Sequence, residues 1–348
     1  MAKFLKKNSG LIYIVLATLL VLVILLRSED LPLVLAAFKQ LDYRWVGGAI
    51  GLTALYLVAR AATLNYALYS QGARLGPLNT MLVTGIGQFY SAITPSSSGG
   101  QPMQLLALHQ MGVPLSTGTA ALSIKFIGFQ AALLLLGAGM WLAHTSVVNA
   151  QLYGFRWLVA MGYGVNVGLV AMIVLTMFRM KWIDRFVRWC VHTLHRLHLV
   201  KDESASVSKT FSVLADYQCA LKRLVARPLD AIVVFLLSCA QMLTLMSVVV
   251  CLYYAFGLSG YSAGELITLQ LLLFITAAFV PLPGAAGAQE GGFCLFFKNV
   301  FPSGEILAAM LCWRFFTYYF LMLFGLLTLI VQALQGVLRR RKEQHANK

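Results

Sequence analysis

The chain has 348 residues, of which 59% are hydrophobic and only 11% charged, with a formal net charge of +15. That apolar share is far more than a soluble domain of this length needs for its core, so the composition excludes an ordinary soluble enzyme and marks an integral membrane protein. The basic excess is gathered beside the ends of apolar segments, a placement that follows membrane topology and argues against nucleic acid as a partner.

Six stretches are long and apolar enough to cross a bilayer as helices: 11–26, 45–69, 117–143, 153–178, 230–257 and 305–335. Arg27-Ser28-Glu29-Asp30 follows the first with no small-residue cleavage pattern, so it reads as a span and not as a cleaved signal. Lys3, Lys6 and Lys7, nine Lys or Arg between 181 and 227, and Arg339-Arg340-Arg341-Lys342 place both termini and segment 179–229 in the cytoplasm. Segments 144–152 and 258–264 carry no Lys or Arg and belong outside, and the mixed segment 28–44 fits there too. Glu265 and Glu305, near the outer ends of their segments, are expected to be solvated.

The 179–229 linker is too short to bury a core of its own. Trp182, Phe186 and Trp189 stand among Lys181, Arg185, Arg188 and Arg196, a composition for helices lying on an anionic membrane surface. His192, His195 and His198 recur there every three residues, but no carboxylate or Cys joins them on one face, so they read as a polar helix surface and no metal is expected. Six scattered cysteines with no CxxC pair are read as packing residues.

Topological counting leaves two segments that must begin and end on one face. With the N-terminus inside, the chain is back in the cytoplasm near Arg74, and 117–143 must run outward. Residues 78–116 therefore form a re-entrant hairpin opening to the cytoplasm, with its turn at Pro95-Ser96-Ser97-Ser98-Gly99-Gly100-Gln101-Pro102. The same count makes 263–300 a hairpin entering from outside and turning at Pro281-Leu282-Pro283-Gly284-Ala285-Ala286-Gly287. Irregular backbone at membrane depth is tolerated only against protein or a watery cavity, so both turns should line a cavity.

The turns also match each other. Pro95 to Pro102 aligns without gaps on Pro283 to Glu290, 188 residues later, as P-x-x-x-G-[GA]-Q. The same offset carries 45–69 roughly onto 230–257, and Lys125 lands one residue short of Arg314. The fold class expected is therefore an all-α polytopic membrane protein in a single membrane domain over 1–348. It has about six full spans and two re-entrant broken-helix hairpins, arranged as an inverted repeat of 45–143 and 230–335.

Half-helices beginning after Gly99-Gly100 and after Gly287 would turn free N–H groups and positive dipole ends into the cavity, suited to a lipid phosphate. Ser96, Ser97, Ser98, Gln101 and Gln289 add neutral hydrogen-bonding groups. Lys125 and Arg314 lie where an isolated charge costs on the order of 2.5–3.5 kcal/mol on insertion scales, so each should meet a partner or water. Replacing either by Gln is expected to abolish lipid movement without unfolding the protein. Arg60 is a third cation with two readings, cavity-lining or snorkelling to the interface. Glu290 also has two: a structural acid that caps its own helix or neutralises Lys125 or Arg314 across the repeat interface, or a group that meets a cationic headgroup or carries a proton.

Taken together, TPSSSGGQP, PLPGAAGAQE and the span pattern around them resemble the lysylphosphatidylglycerol synthase transmembrane region family over about residues 10–335. Its best-known member is the bacterial multiple peptide resistance factor. The resemblance implies a flippase-like region that moves aminoacylated phosphatidylglycerol to the outer leaflet of the bacterial plasma membrane and supports resistance to cationic peptides. It carries over Pro95, Gly99, Pro283, Gly284, Gly287 and Glu290 as motif positions. The neutral Gly100-Gln101-Pro102 departs from the many members with charged residues there, so headgroup preference is expected to differ. The chain ends at RRRKEQHANK directly after its last span, so the synthase domain is expected to be absent, and a membrane-hugging linker has no site for a charged tRNA.

Three functions follow as expectations: a flippase for a phospholipid, aminoacylated phosphatidylglycerol included; a membrane component of lysyltransferase activity or another intramembrane lipid-modifying transferase; or a scaffold docking a synthase on 181–200. A transferase needs a positioned acid or base, for which Glu290 is the candidate. The expected partners are membrane lipids, with a separate lipid synthase if the cargo is lysylated. No cofactor is expected, no P-loop for ATP occurs in the sequence, and the oligomeric state is not set by it.

Overall fold

Helices account for nearly all of the computed structural model, which describes residues 41–175, 202–277 and 280–346 together with Lys39 and scattered positions between 185 and 193. In chain order, α1 (Tyr43–Ser70) leads to the paired α2 (Pro77–Ile93) and α3 (Gly100–Gln110), then α4 (Leu115–Ala143), α5 (Thr145–Leu152) and α6 (Arg156–Leu175). Beyond the linker come α7 (Glu203–Ala226), α8 (Pro228–Met246), α9 (Val248–Ala255) and the paired α10 (Ala263–Ala277) and α11 (Ala288–Phe296). A last long helix is built from α12 (Ile306–Arg314), a π-helical turn (Phe315–Tyr319) and α13 (Phe320–Ala346). The protein is an all-α polytopic membrane protein. Five helical stretches are long and apolar enough to cross a bilayer: Tyr43–Ser70, Leu115–Ala143, Thr145–Met172, Pro228–Ala255 and Ile306–Gln335. They correspond to five of the six predicted spans; 11–26 lies outside the described residues, as do Lys3, Lys6, Lys7, His195 and His198.

Local chemistry sets where these helices begin. Asp42 caps α1, its carboxylate accepting from the Arg44 amide at 2.9 Å. Pro77 and Pro228 open α2 and α8, where a missing N–H leaves nothing unpaired, and Asp230 lies in the first turn of α8 facing its positive end.

Two segments differ from expectation. Residues 144–152, expected outside between two spans, supply α5 to the apolar stretch Thr145–Met172, because Val147, Val148 and Leu152 fall on one helical face and bury it in the core. Part of the basic linker is α7, which packs against α4, α6 and α8 instead of only lying on the membrane surface.

Since lipid is as apolar as Phe, packing and close backbone approach hold membrane helices together where water exclusion cannot. On one side, Phe293 stacks on Phe297 and Trp313 with ring centroids 4.6 and 5.0 Å apart, which locks α11 to α12. On the other, α2 lies so close to α13 that a Cβ on Gly85 would sit 2.4 Å from the Thr328 hydroxyl. These contacts hold the α2–α3 and α10–α11 pairs with their turns facing each other.

Candidate functional site

At the centre the two turns meet. Pro95 and Pro283 form an isolated antiparallel backbone bridge. Two matched stretches of sequence 188 residues apart thus touch at the same motif position.

Their backbones agree as well. Ser96 and Ser97 adopt φ of 51° and 54°, and the aligned Gly284 and Ala285 adopt 59° and 48°. Ser97 N donates to Thr94 O at 3.2 Å and Ser98 N to Pro95 O at 3.1 Å; Ala285 N donates to Leu282 O at 2.9 Å and Ala286 N to Pro283 O at 3.2 Å. Left-handed backbone costs roughly 1–2 kcal/mol per L-residue, so three of these four positions are strained. Gly284 escapes that cost, and a Cβ there would also lie 2.3 Å from the Tyr318 ring. The turns part at the motif glycine, where Gly99 has φ −80° and Gly287 +85°.

That divergence corrects the expectation that both half-helix N-termini present free amides. Gly99 N donates to Thr94 Oγ1 at 2.9 Å, and Pro102 has no N–H to offer. Gly287 N donates to Glu290 Oε2 at 2.7 Å, so the start of α11 is closed by its own carboxylate. Side chains are left as the groups available to an anion.

Around the bridged turns lies a cavity of about 760 Å³, within the range of small-molecule sites. Its wall includes Arg60, Ser96, Ser97, Ser98, Gly100, Gln101, Pro102, Lys125, Gly284, Gln289 and Arg314. Pro95, Gly99, Pro281, Pro283 and Gly287 shape the turns without lining it, and Glu290 stands behind Arg314 instead of on the wall.

The three cations differ. Arg314 is 5% exposed and held three ways: Nη2 donates to Gly284 O at 2.7 Å, Nε lies 2.8 Å from Glu290 Oε1, and the guanidinium sits 4.2 Å from the Tyr318 ring centroid. The Nε contact is an ion pair and not an aligned hydrogen bond, since the Nε–H direction misses the oxygen. Tyr318 in turn donates to Ala92 O at 3.0 Å, tying this cluster to the end of α2. Glu290 therefore neutralises Arg314 within its own half of the chain, not across to the other. Arg60 donates to the Tyr56 hydroxyl at 2.6 Å and lines the cavity, the first of its two expected placements. Lys125 is 8% exposed and makes no hydrogen bond or ion pair among the described residues; the charged group acting on it is Arg60, another cation.

Of the two acids expected to be solvated, Glu305 departs from that expectation. Glu265 accepts from Ser262 N and Oγ at 2.8 and 2.9 Å, and half-buried Glu305 has one oxygen shut off without a donor.

Sequence reasoning missed the amides. Gln88, Gln104, Gln130, Asn166, Gln241 and Gln270 also line the cavity. Gln104 donates to Val83 O at 3.3 Å, Gln130 to Asn166 at 3.2 Å and Asn166 to Gly162 O at 2.8 Å. The signal was present in the chain as uncharged amides placed well inside apolar spans, which need partners just as charges do.

Comparison with known proteins places the chain in a family. A UPF0104 membrane protein from Archaeoglobus fulgidus is 21% identical over 320 residues, covering 89% of this chain and 93% of that protein. The model of the lysylphosphatidylglycerol synthase TM region matches residues 10–325, a stretch that takes in both turns, all three cavity cations and every helix from α1 into α13. The chain therefore belongs to the lysylphosphatidylglycerol synthase TM region family.

Proposed function

We propose that this protein moves a phospholipid across the membrane, its headgroup passing through the cavity at the bridged turns while its acyl chains stay in lipid. The observation that carries the reading is Lys125: a buried ammonium without a partner among the described residues, on the wall of a cavity large enough for a headgroup, is a waiting site for phosphate.

Helix lengths support opposed hairpins. The 17 residues of α2 and 15 of α10 span about 25 and 22 Å, close together to the roughly 40–45 Å of a whole bilayer with its headgroups. Hairpins of those lengths entering from opposite faces meet tip to tip near the middle, the inverted arrangement in which discontinuous helices enclose a central substrate site. The recurrence of long helix, hairpin, P-x-x-x-G turn and long helix over 43–143 and 228–346 supports this reading, since such transporters are built from repeats. We place the 77–110 hairpin and both termini on the cytoplasmic side of a bacterial plasma membrane, following the distribution of Lys and Arg.

A transferase reading finds less support. Among the described residues no carboxylate or His lines the cavity, and Glu290 is committed to Arg314 and to the start of α11. The deciding experiment is reconstitution of the purified chain in vesicles carrying a fluorescent phospholipid, with leaflet exchange read by a membrane-impermeant quencher. Exchange by the native protein and its loss in Lys125→Gln are expected; equal exchange in both would remove Lys125 from the pathway.

A further inference from the structure

The wall of the cavity also restricts which headgroup can lie in it. Its charge is one-sided: Arg60, Lys125 and Arg314 line it, and among the described residues no Asp or Glu does. The nearby acid, Glu290, has both oxygens engaged, Oε1 with Arg314 and Oε2 with the Gly287 amide. A headgroup bearing ammonium groups, as a lysyl ester does, would enter a site with two uncompensated cations and no free carboxylate to receive it.

Its neutral groups are equally one-sided in what they lack. Gln241, Gln270 and Gln289 are 1, 2 and 8% exposed, and their side-chain amides make no hydrogen bond among the described residues. Each carbonyl oxygen is shut off without a donor, as is that of Gln88 opposite on α2. The terminal torsion of Gln is broad and roughly two-fold, so a half-turn of each amide exchanges its two ends and brings the oxygen to the cavity that the side chain already lines. A phosphodiester cannot satisfy these oxygens, because it only accepts, and a methyl or choline group has no donor either. A hydroxyl does both things at once, donating to an amide oxygen while accepting from an amide N–H.

We propose that the cavity selects a phosphodiester lipid whose headgroup is uncharged and rich in hydroxyls, glycerol or a larger polyol, with the phosphate at Lys125 and Arg60 and the hydroxyls at Gln88, Gln241, Gln270 and Gln289. This rests on the translocator reading and narrows it: the aminoacylated form of such a lipid is disfavoured.

The test uses the full chain in phosphatidylcholine vesicles with trace acyl-labelled phosphatidylglycerol, phosphatidylmethanol or lysylphosphatidylglycerol. The second keeps the phosphate and net charge of the first but has no hydroxyls; the third keeps a hydroxyl but is cationic. Phosphatidylglycerol should exchange at least tenfold faster than either, and Gln270→Leu or Gln241→Leu should bring its rate down to that of phosphatidylmethanol. Equal rates for phosphatidylglycerol and phosphatidylmethanol, or faster lysyl lipid, would overturn the inference. Retention of the same three lipids through purification, read by native mass spectrometry, separates the two claims. Selective retention of phosphatidylglycerol without exchange of any lipid would overturn the translocator reading and uphold this one; neither exchange nor selective retention would overturn both. Millimolar glycerol 3-phosphate should leave the retained lipid in place, and its full displacement would assign the site to a soluble glycerophosphate instead.

Discussion

Lys125 and Arg314 stand at nearly equivalent points of two similar helix arrangements, both almost wholly buried and both on the wall of one cavity. Arg314 has a carboxylate, a carbonyl and an aromatic face around it, and Lys125 has none of these. The comparison teaches that burial alone does not say what a cation does; the inventory of partners separates a tied cation from a free one. A planar guanidinium suits the first task, because it can serve Gly284, Glu290 and Tyr318 together, whereas an ammonium is a compact point charge that a mobile phosphate can approach from several directions.

The largest expected effect comes from breaking the tied member. Arg314→Gln leaves Glu290 without its counter-charge and Gly284 without its donor, and should destabilise the protein by about 3–5 kcal/mol, the usual loss when one partner of a buried pair is removed. Thermal unfolding in detergent measures it, and an unchanged midpoint would show that the cluster is not structural. This differs from the expectation raised by the sequence, that Gln at this position spares the fold.

Next is the free member. Lys125→Gln removes an uncompensated charge, so stability should rise, by something on the order of 1–3 kcal/mol on insertion scales, while lipid exchange falls at least tenfold. A variant that unfolds would mean Lys125 has a structural partner after all.

Glu290→Gln sharpens the contrast from the acid's side. The amide oxygen can still accept from the Gly287 amide, and Arg314 keeps the Gly284 carbonyl and the Tyr318 ring, so the destabilisation should fall below that of Arg314→Gln, which gives up all three contacts. Exchange per folded molecule should be kept; its abolition would show that Glu290 carries a proton or meets the headgroup directly.

The smallest effect tests the turns. Ser97 and Ala285 share a left-handed backbone. Ser97→Gly should relieve strain and stabilise by up to about 1 kcal/mol after the entropy glycine adds to the unfolded chain, measured by the same unfolding assay. A loss of stability would mean that the Ser97 side chain contributes more to the turn than its backbone strain costs.

Much of this molecule was legible before its structure. The five described spans follow from apolar runs of bilayer length, and the two turns were found by their Pro, Gly and Gln at a common offset, since few residue types tolerate such backbone at membrane depth. Helix α5 was missed because charge distribution reports which side of the membrane a segment prefers and says little about whether a short neutral stretch with Val147, Val148 and Leu152 has a core to pack on. Six cavity amides were missed for a related reason: a hydropathy window averages a lone Gln away among its Leu and Phe neighbours. For Glu290 the sequence offered its own helix start, Lys125 and Arg314 as partners, and the structure joins it to the first and the last.

By itself, then, the amino-acid sequence determined the class of the protein, its spans, its pair of P-x-x-x-G turns and the presence of buried cations, all properties that a short stretch of chain carries locally. Only the tertiary structure decided that Pro95 reaches Pro283, that Glu290 belongs to Arg314, that Lys125 has no such partner among the described residues and that the amides of α2, α8, α10 and α11 converge on one cavity. Those are relations between side chains far apart in the chain. In a medium where any apolar surface suits any other, it is the few polar contacts and close helix approaches that select one packing, and none of these is visible until the helices are together.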